Sequence, residues 1–220
     1  SAVVDQSVRM GIDAIWLVMA LSGILGLVLS LQSYGQLERF GAEVFTADIV
    51  GVGMVREFGP ILTGMIFAGR NATSIAAEIG TMSVREELDA LRTMGVDPIE
   101  ILIVPRTLAL LLVQPLLTIF SMAAGITGGV VFAAIIGLSG HAYIDRLAEA
   151  ITFGDLISGL TKSVLFAVIV ATAGAFMGLR TQGGATAVGR STTVAVVTSI
   201  ALIVVVDSIA TAVTVWVGNG

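Results

Sequence analysis

Long stretches without a charged residue recur along this sequence. Residues 14–31 contain none, and residues 107–140 form a still longer charge-free run. About 20 apolar residues in an α-helix cross the ~30 Å hydrocarbon core of a bilayer. Only 12% of the residues are charged, against about 25% in soluble domains. The sequence therefore predicts an all-α integral membrane protein and argues against a nucleic-acid-binding protein.

Five transmembrane helices in a single domain over residues 1–220 account for the apolar pattern. The third is too long for one crossing and too short for two crossings and a turn. We therefore predict one long helix, bent after Pro115 or broken near Gly125 and Gly128–Gly129. Small residues at four-residue spacing, such as Gly174 and Gly178, predict close helix packing. The predicted spans are residues 14–31, 49–69, 101–138, 156–179 and 191–217.

Apart from Arg106 near the start of the third span, four charged residues fall inside these spans. Arg56 and Glu57 lie in the second span, Lys162 in the fourth and Asp207 in the fifth. A charge at the bilayer centre costs roughly 2.5–3.5 kcal/mol even on lenient insertion scales, so such side chains face protein or water. Pro60 frees the carbonyl of Arg56 and predicts a kink beside the charged pair.

The depths of these four charges predict that they meet. Counted from the outer span ends at ~1.5 Å per residue, all four lie roughly 9–15 Å below one membrane surface. Two positive and two negative charges form a neutral cluster, which lowers the cost of burial. The cluster is interpreted either as a functional site or as a structural knot of ion pairs.

A short amphipathic helix is predicted over residues 83–95. Ser83 and Glu86 match a capping box, and Gly95 followed by Pro98 matches a helix end. The segment is too short to cross a membrane, so it is interpreted as a surface or docking helix, or else as a solvated linker. Its apolar positions recur at helical spacing, at Val84, Leu88, Leu91 and Met94.

Basic residues predict the orientation. A cytoplasmic N-terminus places seven arginines inside and two outside, as the positive-inside rule favours. The short helix is then cytoplasmic and the C-terminus lies outside. The arginines counted inside are Arg9, Arg70, Arg85, Arg92, Arg106, Arg180 and Arg190, and those outside are Arg39 and Arg146.

Motifs of catalysis are missing from the sequence. It contains no H-E-x-x-H, no Cys/His cluster and no G-x-S-x-G, and it has no cysteine. Gly154, Gly159 and Lys162 approach a Walker motif, but two residues separate the second glycine from the lysine. We expect a non-enzymatic chain that binds no metal or cofactor.

Residues 55–98, together with V-P-R at 104–106, resemble the signature region of the MlaE/YrbE permeases, the membrane subunits of Mce-associated phospholipid ABC transporters. The shared features are R-E-F-G-P, A-G-R, A-E-I-G-T-M and V-D-P, and the sequences around Lys162 and Asp207 are also similar. The similarity extends over essentially the whole chain.

The resemblance implies a permease subunit in the inner (cytoplasmic) membrane that moves phospholipid to or from an Mce-domain partner. It implies a homodimer bound to an ABC ATPase, so that ATP acts through that partner chain. It assigns the intramembrane charges Arg56, Glu57, Lys162 and Asp207 to lipid binding. It makes residues 83–95 the coupling helix, with ATPase contacts at Val84, Glu86, Glu87, Leu88, Leu91, Arg92 and Met94.

Two other functions remain open at this point. The charge cluster is also compatible with a proton or ion relay in a secondary transporter or channel, which would respond to pH or membrane potential and ignore ATP. A membrane scaffold with a docking helix is the third possibility.

Overall fold

The computed structural model describes residues 2–218, and the side chains of residues 11, 12 and 14–216 within them. Every regular element in this range is helical, which confirms the predicted all-α class. The main helices are α1 (Ala2–Leu37), α2 (Thr46–Gly53), α3 (Gly59–Phe67), α4 (Thr73–Val84), α5 (Glu87–Thr93), α6 (Val104–Ile135), α7 (Gly140–Ala150), α8 (Phe153–Leu179) and α9 (Ala185–Gly218).

Five helical stretches in the described residues are long and apolar enough to cross a membrane, as predicted. All reach beyond the predicted limits at one end or both, because hydropathy marks the apolar part of a helix and not its hydrogen-bonded ends. These stretches are Ala14–Phe40, Glu43–Val84, Ile99–Ile135, Phe153–Leu179 and Ala185–Trp216.

The third span is one continuous helix in its apolar part. Helix α6 passes through Pro115, and also through the glycines where a break was an alternative. Pro115 removes one backbone hydrogen bond without ending the helix, because neighbouring turns of a long helix hold it in place.

The second span is the longest at 42 residues. Two π-helical turns, Met54–Phe58 and Ala68–Ala72, interrupt it without breaking it. The predicted end at residue 69 is therefore too early. Although the composition becomes polar at Arg70, the backbone has no helix breaker there, and one face of α4 is buried at Ile75, Ala76, Ile79 and Gly80.

The predicted start of the short helix is wrong. Ser83 lies inside α4, and its hydroxyl donates to the carbonyl of Thr181 instead of capping a new helix. Helix α5 begins at Glu87, after Glu86 in the left-handed conformation (φ 60°). The predicted end is confirmed, because Gly95 (φ 77°) follows α5 and its N–H donates to the carbonyl of Arg92, while the N–H of Val96 donates to that of Leu91.

The contacts of the chain group into two compact units. The α4–α9 unit contains Ser1–Ile12, Gly64–Gln114 and Val164–Gly220, and the α2–α7 unit contains Asp13–Thr63 and Pro115–Ser163. In the α4–α9 unit, a Cβ on Gly178 would lie 2.8 Å from the Cβ of Ile79. In the α2–α7 unit, a Cβ on Gly125 would overlap the side chain of Met54. Small residues thus bring helices together in each unit, as the sequence predicts.

Candidate functional site

The candidate site lies in the α2–α7 unit, where the first π turn meets the beginning of α8. In this turn the N–H of Gly59 donates to the carbonyl of Met54, five residues earlier. A Cβ on Gly59 would lie only 2.6 Å from that oxygen, so glycine suits the turn. π turns of this kind are frequent at functional sites. Arg56 and Glu57 occupy this turn.

Helix α8 packs directly on the π turn because Gly159 has no side chain. A Cβ at that position would overlap the carbonyl oxygen of Val55. Residues spaced by three and four positions share one face of a helix. Asp155, four residues before Gly159, and Lys162, three residues after it, therefore face the same turn.

Two ion pairs form across this contact. The Nζ of Lys162 donates to a carboxylate oxygen of Glu57, and an Nη of Arg56 lies 3.6 Å from Oδ1 of Asp155. The Lys162 side chain is only 2% exposed, whereas that of Arg56 is 29% exposed. The four charges cancel, which lowers the cost of burying them. Arg56 is the cation of this cluster that a ligand can reach more easily.

Asp155 uses its two oxygens for different contacts. Oδ2 accepts hydrogen bonds from the backbone N–H and the hydroxyl of Thr152, at 3.0 and 2.7 Å. The N–H of Asp155 donates in return to the Thr152 hydroxyl. This reciprocal arrangement is a capping box at the first turn of α8. Oδ1 remains directed at Arg56.

The sequence did not indicate Asp155 as part of the cluster. Depth within the spans predicts Asp207 as the second anion, and the predicted fourth span begins at residue 156, one residue after Asp155. Asp207 is half-buried on α9 in the α4–α9 unit, and its role stays a prediction. The spacing of Asp155, Gly159 and Lys162 along one helix face was the signal that could have revealed the missing partner.

The residues predicted to contact an ATPase lie in the α4–α9 unit. Glu86, Glu87 and Arg92 are exposed, as is Met94 at 68%. Leu88 is buried, and Val84 and Leu91 are half-buried. Of the apolar side chains, Leu88 therefore packs within the chain and Met94 is available to a partner. The polar side chains are all accessible. Their role in coupling stays a prediction.

A second group of charges lies beside the short helix α7. The guanidinium of Arg146 donates two hydrogen bonds to Asp48, at 2.8 and 2.9 Å, and stacks over the ring of Phe45. The bonds to Asp48 raise the pKa of Arg146. Two parallel hydrogen bonds give a defined geometry. This contact fixes α7 on the beginning of α2.

The family described as Permease MlaE matches residues 3–213. A probable ABC transporter permease protein of Rickettsia typhi is 37% identical over 206 residues, which is 93% of this chain and 80% of that protein. The intermembrane phospholipid transport system permease protein MlaE of Haemophilus influenzae is 33% identical, over 96% of this chain and 81% of its own length.

A plant protein is also similar. The chloroplast protein TRIGALACTOSYLDIACYLGLYCEROL 1 of Arabidopsis thaliana is 33% identical over 92% of this chain and 58% of its own length. The family match and these relatives cover nearly all of the five membrane-spanning helices. The chain is therefore a multi-pass membrane protein that belongs to the MlaE permease family.

Proposed function

We propose that this chain is the membrane subunit of an ABC transporter that moves phospholipid between the inner membrane and an Mce-domain partner. The names of the relatives from Rickettsia typhi and Haemophilus influenzae support the transporter class and the phospholipid. ATP is hydrolysed by a separate ATPase subunit, and two copies of the chain form the transporting dimer. The N-terminus is cytoplasmic and the C-terminus lies outside.

The arrangement of Arg56 and Asp155 supports a phosphate-binding role more than any other observation. A guanidinium binds phosphate oxygens through two parallel hydrogen bonds. Arg56 is partly exposed, and at 3.6 Å its contact with Asp155 is long for a hydrogen bond. A lipid phosphate replaces Oδ1 of Asp155 at Arg56, while Oδ2 keeps its contacts at the start of α8.

The neighbouring ion pair of Lys162 and Glu57 is a rigid support while Arg56 exchanges Asp155 for the lipid phosphate. Lys162 is almost completely buried against Glu57, and removing one partner of a buried pair costs roughly 3–5 kcal/mol. This pair therefore stays in place while Arg56 changes partner. In this mechanism, movement of the ATPase subunits displaces α5 and alters access of the lipid to Arg56.

The test replaces Arg56 by alanine in the complex with its ATPase and Mce-domain partner. Loss of a charged hydrogen bond costs about 1.5–3 kcal/mol, so affinity for phosphatidylglycerol should fall about 10- to 100-fold. Native mass spectrometry of the complex in phosphatidylglycerol nanodiscs measures retained lipid, and a vesicle assay measures ATP-dependent transfer. Arg56→Lys should recover only part of the binding, because an ammonium lacks the planar fork.

Arg39→Ala is the matched control, because Arg39 is an exposed arginine in the turn after α1 and lies outside the π turn. It should retain the lipid as the wild type does. Normal transfer by a stable Arg56→Ala complex would refute the phosphate role. Transfer that follows a proton gradient and ignores ATP would favour the alternative of an ion-coupled transporter.

A further inference from the structure

An ion pair in the α4–α9 unit joins α4 to the beginning of α6. Arg106 on α6 donates to a carboxylate oxygen of Glu78 on α4. They are 28 positions apart in the sequence, and the segment between them contains the end of α4, the whole of α5 and the π turn Ile99–Ile103. The pair thus closes a loop whose most exposed part is the predicted coupling helix.

The two partners have different surroundings. The Arg106 side chain is 6% exposed, and that of Glu78 is 56% exposed. Among the described residues, the second terminal nitrogen of Arg106 (Nη1) is buried without a hydrogen-bond partner. Glu78 is therefore a carboxylate that neutralises a buried guanidinium on α6, and removing one partner of such a pair is costly.

Glu78 also reaches an open surface. It lines a groove of about 560 Å³ along one face of α4, together with Ser74, Met82 and Arg85. The same carboxylate thus faces solvent on one side and a buried cation on the other. A displacement of α4 at this surface therefore acts on α6 through this charged contact.

A second attachment holds the end of α4. The Ser83 hydroxyl donates to the carbonyl of Thr181, and the hydroxyls of Thr181 and Ser191 are hydrogen-bonded to each other. Gly80 allows this approach, since a Cβ there would lie 2.9 Å from the Thr181 hydroxyl oxygen. The segment before α5 is therefore held at two points, one toward α6 and one toward the connection between α8 and α9.

We propose that Glu78 and Arg106 are positioning residues that make α5 and the beginning of α6 move as one body. This inference rests on the proposed function, because it explains how displacement of α5 by an ATPase reaches a membrane span. We call the ion pair of Glu78 and Arg106 the clamp. With the clamp intact, displacement of α5 pulls α6. Without it, the loop absorbs the displacement, and ATP is hydrolysed with little lipid transfer.

Glu78→Gln tests the clamp in the reconstituted complex, with Glu100→Gln as the matched control. Glu100 is an exposed glutamate in the same loop. We expect Glu78→Gln to assemble with the ATPase and hydrolyse ATP, while lipid transferred per ATP falls about five-fold or more. Glu100→Gln should keep the wild-type ratio. A wild-type ratio for Glu78→Gln, or loss of assembly with the ATPase, would overturn the proposal.

If the Glu78→Gln variant fails to fold, a covalent cross-link in place of the ion pair tests the clamp. The chain has no cysteine, so Glu78→Cys with Arg106→Cys can be linked by a bifunctional thiol reagent that is cleavable by reduction. Linking should restore the ratio of lipid to ATP, and cleavage should lower it again. An equal ratio in the linked and cleaved forms would contradict a clamp.

A further measurement separates this inference from the proposed function. Hydrogen exchange of residues 85–97 in the purified complex should be slower in the linked form than in the cleaved form, whether or not lipid is transferred. If the wild-type complex moves no lipid with ATP, the proposed function fails, and the exchange rates alone decide on the clamp. Equal exchange rates overturn it.

Discussion

The two carboxylate oxygens of Asp155 make different contacts. Oδ2 caps the first turn of α8 and Oδ1 is directed at Arg56. Substitution can separate these roles because asparagine retains an acceptor for the cap but carries no charge. Alanine removes both contacts.

We therefore expect Asp155→Asn to increase phosphatidylglycerol retention about five-fold, since it removes a competing carboxylate whose partly exposed ion pair contributes up to ~1 kcal/mol. Asp155→Ala should in addition lower the free energy of unfolding by about 1 kcal/mol, because it also removes the cap of α8. Lipid retention and thermal unfolding of the two variants provide the measurement. Equal stability of both variants would contradict the capping role.

The pair of Glu57 and Lys162 predicts a non-additive response. Glu57→Gln or Lys162→Met alone leaves one uncompensated charge and should lower stability by roughly 3–5 kcal/mol. The double variant removes both charges and should be more stable than either single variant. Thermal unfolding in detergent compares the three. Additive losses would show that the two side chains act independently.

The sequence could predict part of this cluster. Depth within the spans placed Glu57 and Lys162 at the same level, and the structure brings them into contact. Asp155 was missed because a polar residue at the beginning of a span resembles the end of a loop. Its contacts depend on the approach of α8 to the π turn, which hydropathy does not reveal.

At the scale of helices, Gly159 sets the distance between α8 and the π turn. Its hypothetical Cβ overlaps the carbonyl oxygen of Val55, whereas a Cβ on Gly154 meets its nearest atom at 3.6 Å. Both glycines lie on α8, and they differ in what they face.

Gly159→Ala should separate the helices and destabilise the protein by roughly 1–3 kcal/mol, as overpacking does. Gly154→Ala is the control and should be near neutral. Thermal unfolding and lipid retention measure both effects. Equal behaviour of the two variants would indicate that α8 does not pack on the turn this closely.

Helix α5 shows where local sequence signals fail. Its end follows the glycine signal because left-handed geometry at Gly95 is a property of that residue. Its start departs from the capping pattern because Ser83 finds a partner 98 residues away. A tertiary hydrogen bond of this separation leaves no local mark in the sequence.

Glu86 occupies a left-handed conformation that favours glycine, at φ 60° and ψ 15°. Such a position costs about 1–3 kcal/mol for an ordinary residue. Glu86→Gly should therefore raise the stability of the turn between α4 and α5 by about 1 kcal/mol. Differential scanning calorimetry measures the change, and a loss of stability would show that the Glu86 side chain compensates its strain.

At the scale of the whole molecule, an odd number of membrane spans predicts that the two ends of the chain lie on opposite sides of the membrane. The predicted orientation then puts the connection between the first and second spans outside and that between the fourth and fifth spans inside. The sequence could predict this count because membrane spans are defined by apolar length. It could not predict the two compact units, since contacts between distant segments define them.

Single cysteines test the orientation, because the chain has none. Phe40→Cys replaces a side chain that is 83% exposed, and Gly184→Cys lies in open space between α8 and α9. In spheroplasts, a membrane-impermeant maleimide should label Phe40→Cys and reach Gly184→Cys only after lysis. The reverse pattern would invert the topology.

The π turn Met54–Phe58 also makes the second span sensitive to chain length. A π turn holds one residue more than the α-helical turn it replaces. Deleting one residue there would restore regular α-helix and rotate the preceding part of the span by about 100° relative to the following part. Homologues that differ by one residue at this point would therefore present a different side of the helix to α8, with no change in hydropathy.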